Sequence, residues 1–312
     1  MADTTGSKST DGPCPLCGSG GVLALCSASD LQSSQRPRPR WQVRRCQKCG
    51  IGWTHPRPTP EQIRQAYPAA YLGDTEKTIR EFEEGSLQRS RSWRNETDKV
   101  RHVERHLEGG RILDVGCADG KFLWALDPGR WQRSGLEFLE ETVQLVSCRM
   151  PQLELTAGTL EGSDLPDGSF DVITLWHVLE HLPRPRQALE RLHALLKPGG
   201  TLFLAVPNLD SLQARLFGRH WMGLDVPRHL FHYSPGVLRR LLEETGFLLV
   251  EQRFQSAPVN VHHIKHSLLQ WSRSRFSSRL PYYLLKWSVF CLNWAEQWSG
   301  RYGMLLVVAR KS

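Results

Sequence analysis

Two hydrophobic rhythms divide the chain. Short runs dominated by apolar residues recur at 111–115, 132–137, 152–157, 170–176 and 200–206, with two more at 247–254 and 303–310. Their length predicts strands. Between them, apolar positions three and four apart predict helices at 120–126, 139–148, 184–196 and 234–245. Residues 80–108 show the same spacing through Phe82, Leu87, Trp93, Val100, Val103 and Leu107. Lys197-Pro198-Gly199-Gly200 ends one helix and opens the next strand. Strands alternating with helices predict an α/β fold with seven strands in a mostly parallel sheet and helices on both faces. The stretch 255–302 between the last two strands is too long for a structureless loop, so a helical insertion is expected there.

The rest divides by composition. Residues 1–56 carry paired cysteines behind a polar, small-residue start expected to be disordered over 1–10. That start lacks the apolar core of a secretory signal. Residues 57–84 form a connector, Pro-rich at its start, whose Tyr67 and Tyr71 are expected to pack on the next domain. The main domain spans 85–254 plus 303–312. The longest apolar stretch, Leu280 to Trp294, is interrupted by Lys286 and is too short to span a bilayer. These features place the protein in the cytoplasm, with peripheral contact to the inner face of the membrane open through 255–302. The net charge of +8 admits nucleic acid, a phosphorylated substrate or an acidic membrane as partner. No dense basic run selects among them.

Cys14-Pro15-Leu16-Cys17-Gly18 and Cys46-Gln47-Lys48-Cys49-Gly50 place four thiols in two tight turns. Two matched pairs predict a structural zinc with a closed tetrahedral shell, held by Cys14, Cys17, Cys46 and Cys49. Cys26 is spare, and reads as a small buried residue.

In an open parallel sheet, ligands bind at the carboxyl ends of the strands. Here the first strand runs through Asp114 into a turn holding Gly116 and Gly120, and the second ends in Glu137. Glycines in such a turn admit close backbone approach of a ligand, and an acid ending the next strand is placed to read a ribose. The turn is Gly-x-x-x-Gly, without the third glycine of a dinucleotide site or a P-loop lysine.

Five segments in order resemble the class I S-adenosylmethionine-dependent methyltransferases: Leu113 to Gly120, the acid Glu137, Leu165 to Ile173, His177 to Leu182 and Leu195 to Leu202. The resemblance covers roughly 85–255 and the last strand. It implies a Rossmann-like fold with a small zinc-ribbon-like domain ahead of it. It also implies S-adenosylmethionine as cofactor. Asp114 and Asp119 would face its methionine part, with Gly116, Cys117 and Gly120 at the turn. Glu137 would bind the ribose, Gly158, Thr159 and Leu160 would lie near the adenine, and Trp176 and His177 near the methionine end. Family members often carry an acid where this chain has Thr159.

His177, Glu180 and His181 fall at one-turn spacing, in a segment resembling the ubiquinone O-methyltransferases, where Glu-His here can touch a divalent cation or serve near the acceptor. His-x-x-Glu-His also matches an inverted zinc-protease motif, but it follows a strand and does not lie on a long helix. His181 is the first candidate base, and His229 and His232 are alternatives. The segment 227–233 reads as an acceptor-site lid in which Arg228 would clamp a phosphate or carboxylate. The insertion mixes basic and aromatic residues, which suits a cap over the acceptor site, a homodimer surface or an interfacial helix. The function expected is methyl transfer by in-line displacement to a hydroxyl of a small-molecule, sugar or lipid-linked acceptor. RNA methylation and sugar C-methylation are the alternatives, with a non-catalytic scaffold last.

Overall fold

The computed structural model describes residues 12–31, 33, 37–67, 70–89, 91–254, 257–275 and 282–312. The expected disordered start, Arg36, Phe276 and Arg279 lie outside these residues. In chain order the elements are β1 (Val22–Ser29), β2 (Arg40–Cys46), β3 (Gly52–His55), α1 (Pro60–Ala66), α2 (Ala70–Glu83), α3 (Arg91–Glu104) and β4 (Gly110–Val115). There follow α4 (Lys121–Ala125), β5 (Trp131–Glu137), α5 (Glu140–Arg149), β6 (Glu154–Ala157), β7 (Phe170–Trp176), α6 (Pro185–Leu195) and β8 (Leu196–Pro207). The chain ends with α7 (Leu212–Phe217), β9 (Phe231–His232), α8 (Pro235–Glu244), β10 (Phe247–Phe254), α9 (Ala257–Arg275), α10 (Tyr282–Ser299) and β11 (Met304–Lys311).

The seven-stranded sheet has the order β10-β11-β8-β7-β4-β5-β6. Pairings from β8 to β6 are parallel, and β11 runs antiparallel to both its neighbours. On one face Ile112, Val172 and Phe203 meet Val100 and Val103 of α3, Phe122 and Leu123 of α4, and Val146 of α5. On the other, Leu113, Ile173 and Leu204 meet Leu189 and Leu192 of α6 and Leu238 and Leu241 of α8. Burial on both faces explains why these strands read as apolar runs without alternation. The helical insertion between the last two strands forms as expected, as α9 and α10.

Three local expectations change. The helix over 80–108 is broken between α2 and α3, where Gly85 takes φ +63°, a left-handed turn that glycine adopts without strain. Lys197 to Gly200 does not precede the strand but bulges within it: Phe170 pairs with Leu196, whereas Val172 pairs with Thr201. The connector contains α1, which starts with Pro60 at its first position and a Thr59–Gln62 capping box.

The N-terminal module is an antiparallel sheet of order β1-β2-β3-β9. Its last strand comes from beyond β8, so the sheet crosses the boundary drawn at residue 56. The four cysteines sit in two turns, each closed by a glycine amide bonded back to the first cysteine: Gly18 to Cys14 at 2.9 Å and Gly50 to Cys46 at 3.0 Å. Both glycines have positive φ. Cys14 and Cys49 sulfurs are 3.6 Å apart, as are those of Cys17 and Cys46. Four sulfurs about 2.3 Å from a tetrahedral zinc stand about 3.75 Å apart, so the set fits that ion. The module rests on α8, where Arg240 donates to the Cys49 carbonyl.

One buried cation ties the module to the rest. Arg228, 4% exposed, donates Nε to Asp225 at 2.8 Å, Nη2 to Asp30 at 3.0 Å and Nη1 to the Ala66 carbonyl at 2.7 Å. Burial works against its charge, but Asp225 and Asp30 more than offset that and raise its pKa. Arg228→Ala removes the buried cation shared by Asp30 and Asp225 and is expected to cost about 3–5 kcal/mol, seen as a lower thermal midpoint. The purified protein should carry one zinc per chain by elemental analysis, and Cys46→Ser should remove it and expose β1–β3 to proteolysis.

Candidate active site

The chain changes direction across the sheet at β4, with β5 on one side and β7 on the other, and this switch opens a crevice at the strands' carboxyl ends. Gly116 and Gly120 line it, each with φ +72°. A Cβ at Gly116 would come within 2.6 Å of Val178 Cγ2. The turn therefore needs glycine for both conformation and space.

Glu137 is pinned beside this turn. Its Oε2 accepts from the Ala118 amide at 3.0 Å and its Oε1 from Leu139 at 3.2 Å. Burial raises its pKa, and the same amides oppose that. Each oxygen keeps a further lone pair for a ligand hydroxyl. Asp114 accepts from Thr174 Oγ1 at 2.5 Å, and burial pushes its carboxyl up to about 7. Asp119 accepts from Thr78 Oγ1 and Lys121 Nζ, both at 2.8 Å. The first of these bonds fastens α2 across the crevice.

Other expected residues reach the crevice only by backbone. Cys117 is buried in the core under α3, α4 and α5, its Sγ directed at Gly135. Leu160 is buried on the opposite face. Thr159 accepts the Gly162 amide at 3.2 Å, and Gly158, φ +143°, has open space where a Cβ would stand. Trp176 shares the face of Thr174: its ring packs on Phe122 and faces Lys99 Nζ at 5.4 Å, lining a groove of about 630 Å³ with His102 and Arg253.

Beyond β7 three side chains converge. Ligand atoms of Glu180, His181 and His229 lie within 4.8 Å of one another. His181 Nδ1 is 3.0 Å from the Arg228 carbonyl and His229 Nδ1 is 2.9 Å from the Gly223 carbonyl. A carbonyl only accepts, so each Nδ1 carries a hydrogen, and the neutral form of either ring has its lone pair on Nε2. His229 Nε2 stands 3.9 Å from Glu180 Oε1 and 4.0 Å from Asp225 Oδ2. Glu180 is 1% exposed; among the described residues no hydrogen bond of ordinary length reaches its oxygens, and His177 Nδ1 stands 3.6 Å from Oε1. Burial raises the Glu180 pKa, but His177, His229 and His181 hold it below the usual carboxylate range. Burial, with His229 beside it, lowers His181 to about 4. Lone pairs thus face lone pairs, an arrangement completed by an electrophile: a proton, an acceptor hydroxyl or a divalent cation.

The same edge holds backbone strain. Among the described residues, the non-glycine positions with positive φ are Ala118, His177 and Asp225, one at the glycine turn and two beside the histidine cluster.

Two expectations for 227–233 are corrected. Arg228 is not a clamp for a ligand anion, because Asp30, Asp225 and Ala66 occupy it. His232 lies 3.2 Å from Thr54 Oγ1, and burial lowers it to about 3. The segment is a buried strand edge, with β9 paired to β3.

Residues missed in the sequence complete the site. Burial pushes Tyr67 up to about 12, with Asp225, Glu137 and Glu180 adding to the rise and Arg228 opposing it. Burial lowers His263 on α9 to about 3, with His177 next in effect, so α9 borders the cluster. Asp225 lies three residues before Arg228, a spacing that could have flagged it.

The methyltransferase domain family model matches residues 87–252. A Mycolicibacterium smegmatis relative, named as a probable S-adenosylmethionine-dependent methyltransferase, is 29% identical over 186 residues, 58% of this chain and 67% of the relative. A ubiquinone biosynthesis O-methyltransferase of Burkholderia pseudomallei is 28% identical over 158 residues, 47% of this chain and 68% of that one. A chain from the complex of the Haloferax volcanii Trm112 methyltransferase activator with a methyltransferase superposes with TM-score 0.50 at 17% identity, covering 76% of this chain and 96% of that chain. At that identity the likeness is one of fold. The crevice at β4 and the match across more than half of the chain agree: the protein belongs to the methyltransferase domain family, as a class I S-adenosylmethionine-dependent methyltransferase.

Proposed function

We propose that the enzyme methylates a hydroxyl oxygen of a small-molecule acceptor, with His229, His181 and Glu180 handling the proton. S-adenosylmethionine supplies an electrophilic methyl on a sulfonium. The glycine turn and the pinned Glu137 fit that donor, with Glu137 receiving the ribose hydroxyls. Asp114 and Asp119 face its methionine end, beside His177 and the Trp176 backbone. Gly158, Thr159 and Leu160 border the adenine, and Cys117 contributes backbone at the turn. Transfer is an in-line displacement: the acceptor oxygen takes the methyl as the carbon–sulfur bond breaks, and the oxygen loses its proton.

The observation that carries this reading is His229 Nε2 standing 3.9 Å from the buried carboxylate of Glu180, with His181 in the same cluster. A hydroxyl entering there donates to an imidazole, and Glu180 stabilises the imidazolium that forms. The O-methyltransferase relatives support the same acceptor atom. A divalent cation also fits this donor set: Glu180, His181 and His229 would hold it, and it would acidify the hydroxyl.

Two outcomes are expected. His229→Ala should lower kcat by about 10²–10⁴-fold with S-adenosylmethionine affinity unchanged, measured by methyl transfer to a catechol or quinol acceptor and by calorimetry. The second concerns Asp114, whose carboxyl keeps its proton up to about pH 7 in the free protein. A cationic ligand selects the carboxylate, so binding must expel that proton whenever the pH is below 7. S-adenosylmethionine affinity should therefore fall about tenfold per unit as pH drops below 7, and Asp114→Asn should flatten the profile.

A further inference from the structure

Exposed aromatic side chains gather on one helix. Leu284, Trp287, Phe290, Trp294 and Trp298 of α10 are between 55% and 83% exposed. Steps of three and four residues set them along one side. The opposite side is used: Val289 and Leu292 pack with Ile264 and Leu268 of α9, and Glu296 accepts from Asn260 at 2.6 Å and Gln213 at 3.0 Å. α10 is thus anchored by one face and leaves an apolar stripe uncovered.

Charge decides what covers it. Residues 255–302 hold Lys265, Arg273, Arg275, Arg279, Lys286 and Arg301 against one acid, Glu296. That acid is fully buried, and Lys265 is exposed. Among the described side chains Lys265 and Arg301 are exposed cations, and a second copy offers this segment no exposed acid in return. An anionic bilayer supplies the missing charge, and tryptophans prefer the headgroup level where ring and N–H are both satisfied. No helix among the described residues is long and apolar enough to cross a membrane. We propose that α10 lies flat on an anionic membrane surface, inserting Trp287, Phe290, Trp294 and Trp298 among the headgroups. α9 packs on α10 through Ile264 and Leu268, and its His263 feels the charge of His177 and His229. The surface stands on its own whatever the acceptor atom proves to be.

The test is co-sedimentation of the full chain with vesicles of phosphatidylcholine alone or mixed equally with phosphatidylglycerol. Binding is expected only to the mixed vesicles, with a blue shift of tryptophan emission and release at high salt. The triple variant Trp287→Ser, Trp294→Ser, Trp298→Ser should weaken partitioning by about tenfold or more while leaving S-adenosylmethionine affinity intact. No binding to mixed vesicles overturns the proposal, as does equal binding to phosphatidylcholine alone. A dimer in sedimentation velocity that the triple variant dissolves, without vesicle binding, assigns the stripe to a second copy instead.

Discussion

Arg228 is the constraint on which the acceptor half of the molecule depends. One guanidinium joins Asp30 of the zinc module, the end of α1 in the connector, and Asp225 in its own loop. Its backbone carbonyl sets the tautomer of His181. A buried charge of this kind contributes little net stability, since desolvation offsets most of the attraction. What it supplies is geometry. Three segments distant in sequence meet in one arrangement, and the reactive nitrogens face the same point.

The two halves of the crevice are built by different physics. The donor half is backbone work: glycines at positive φ, amides donating to Glu137, a carbonyl of β5 receiving Gly116. These parts are set by the sheet and need no distant partner. The acceptor half is side-chain work: buried imidazoles and carboxylates oriented by loops that the sheet does not reach. Such groups are costly to bury and are held in register by the bonds to Nδ1 of His181 and His229 and to each nitrogen of Arg228.

That difference decides what could be read from the sequence. The parallel sheet was legible because strands buried on both faces appear as apolar runs, and the donor turn because glycine is nearly obligatory there. The four cysteines were legible by spacing. The direction of the Trp176 side chain follows from strand parity, two residues after Thr174. The pairing of Arg228 with Asp30 leaves no periodic trace, so a structural cation was taken for a ligand clamp. β9 spans two residues, too few to show alternation, so its polar neighbours read as an acceptor-site lid. The break at Gly85 and the bulge at Lys197 to Gly200 are turn chemistry, where local signals fix existence better than limits.

The short pairing of β9 with β3 has one more consequence. It makes the zinc module a second foundation for the stretch from Asp225 to Tyr233, separate from the sheet that carries the donor site. On the proposed function, exchanges near Asp225 to Tyr233 would alter the acceptor side without touching the glycine turn and Glu137. The metal, remote from the chemistry, acts as the fixed jig against which new acceptor pockets can be cut.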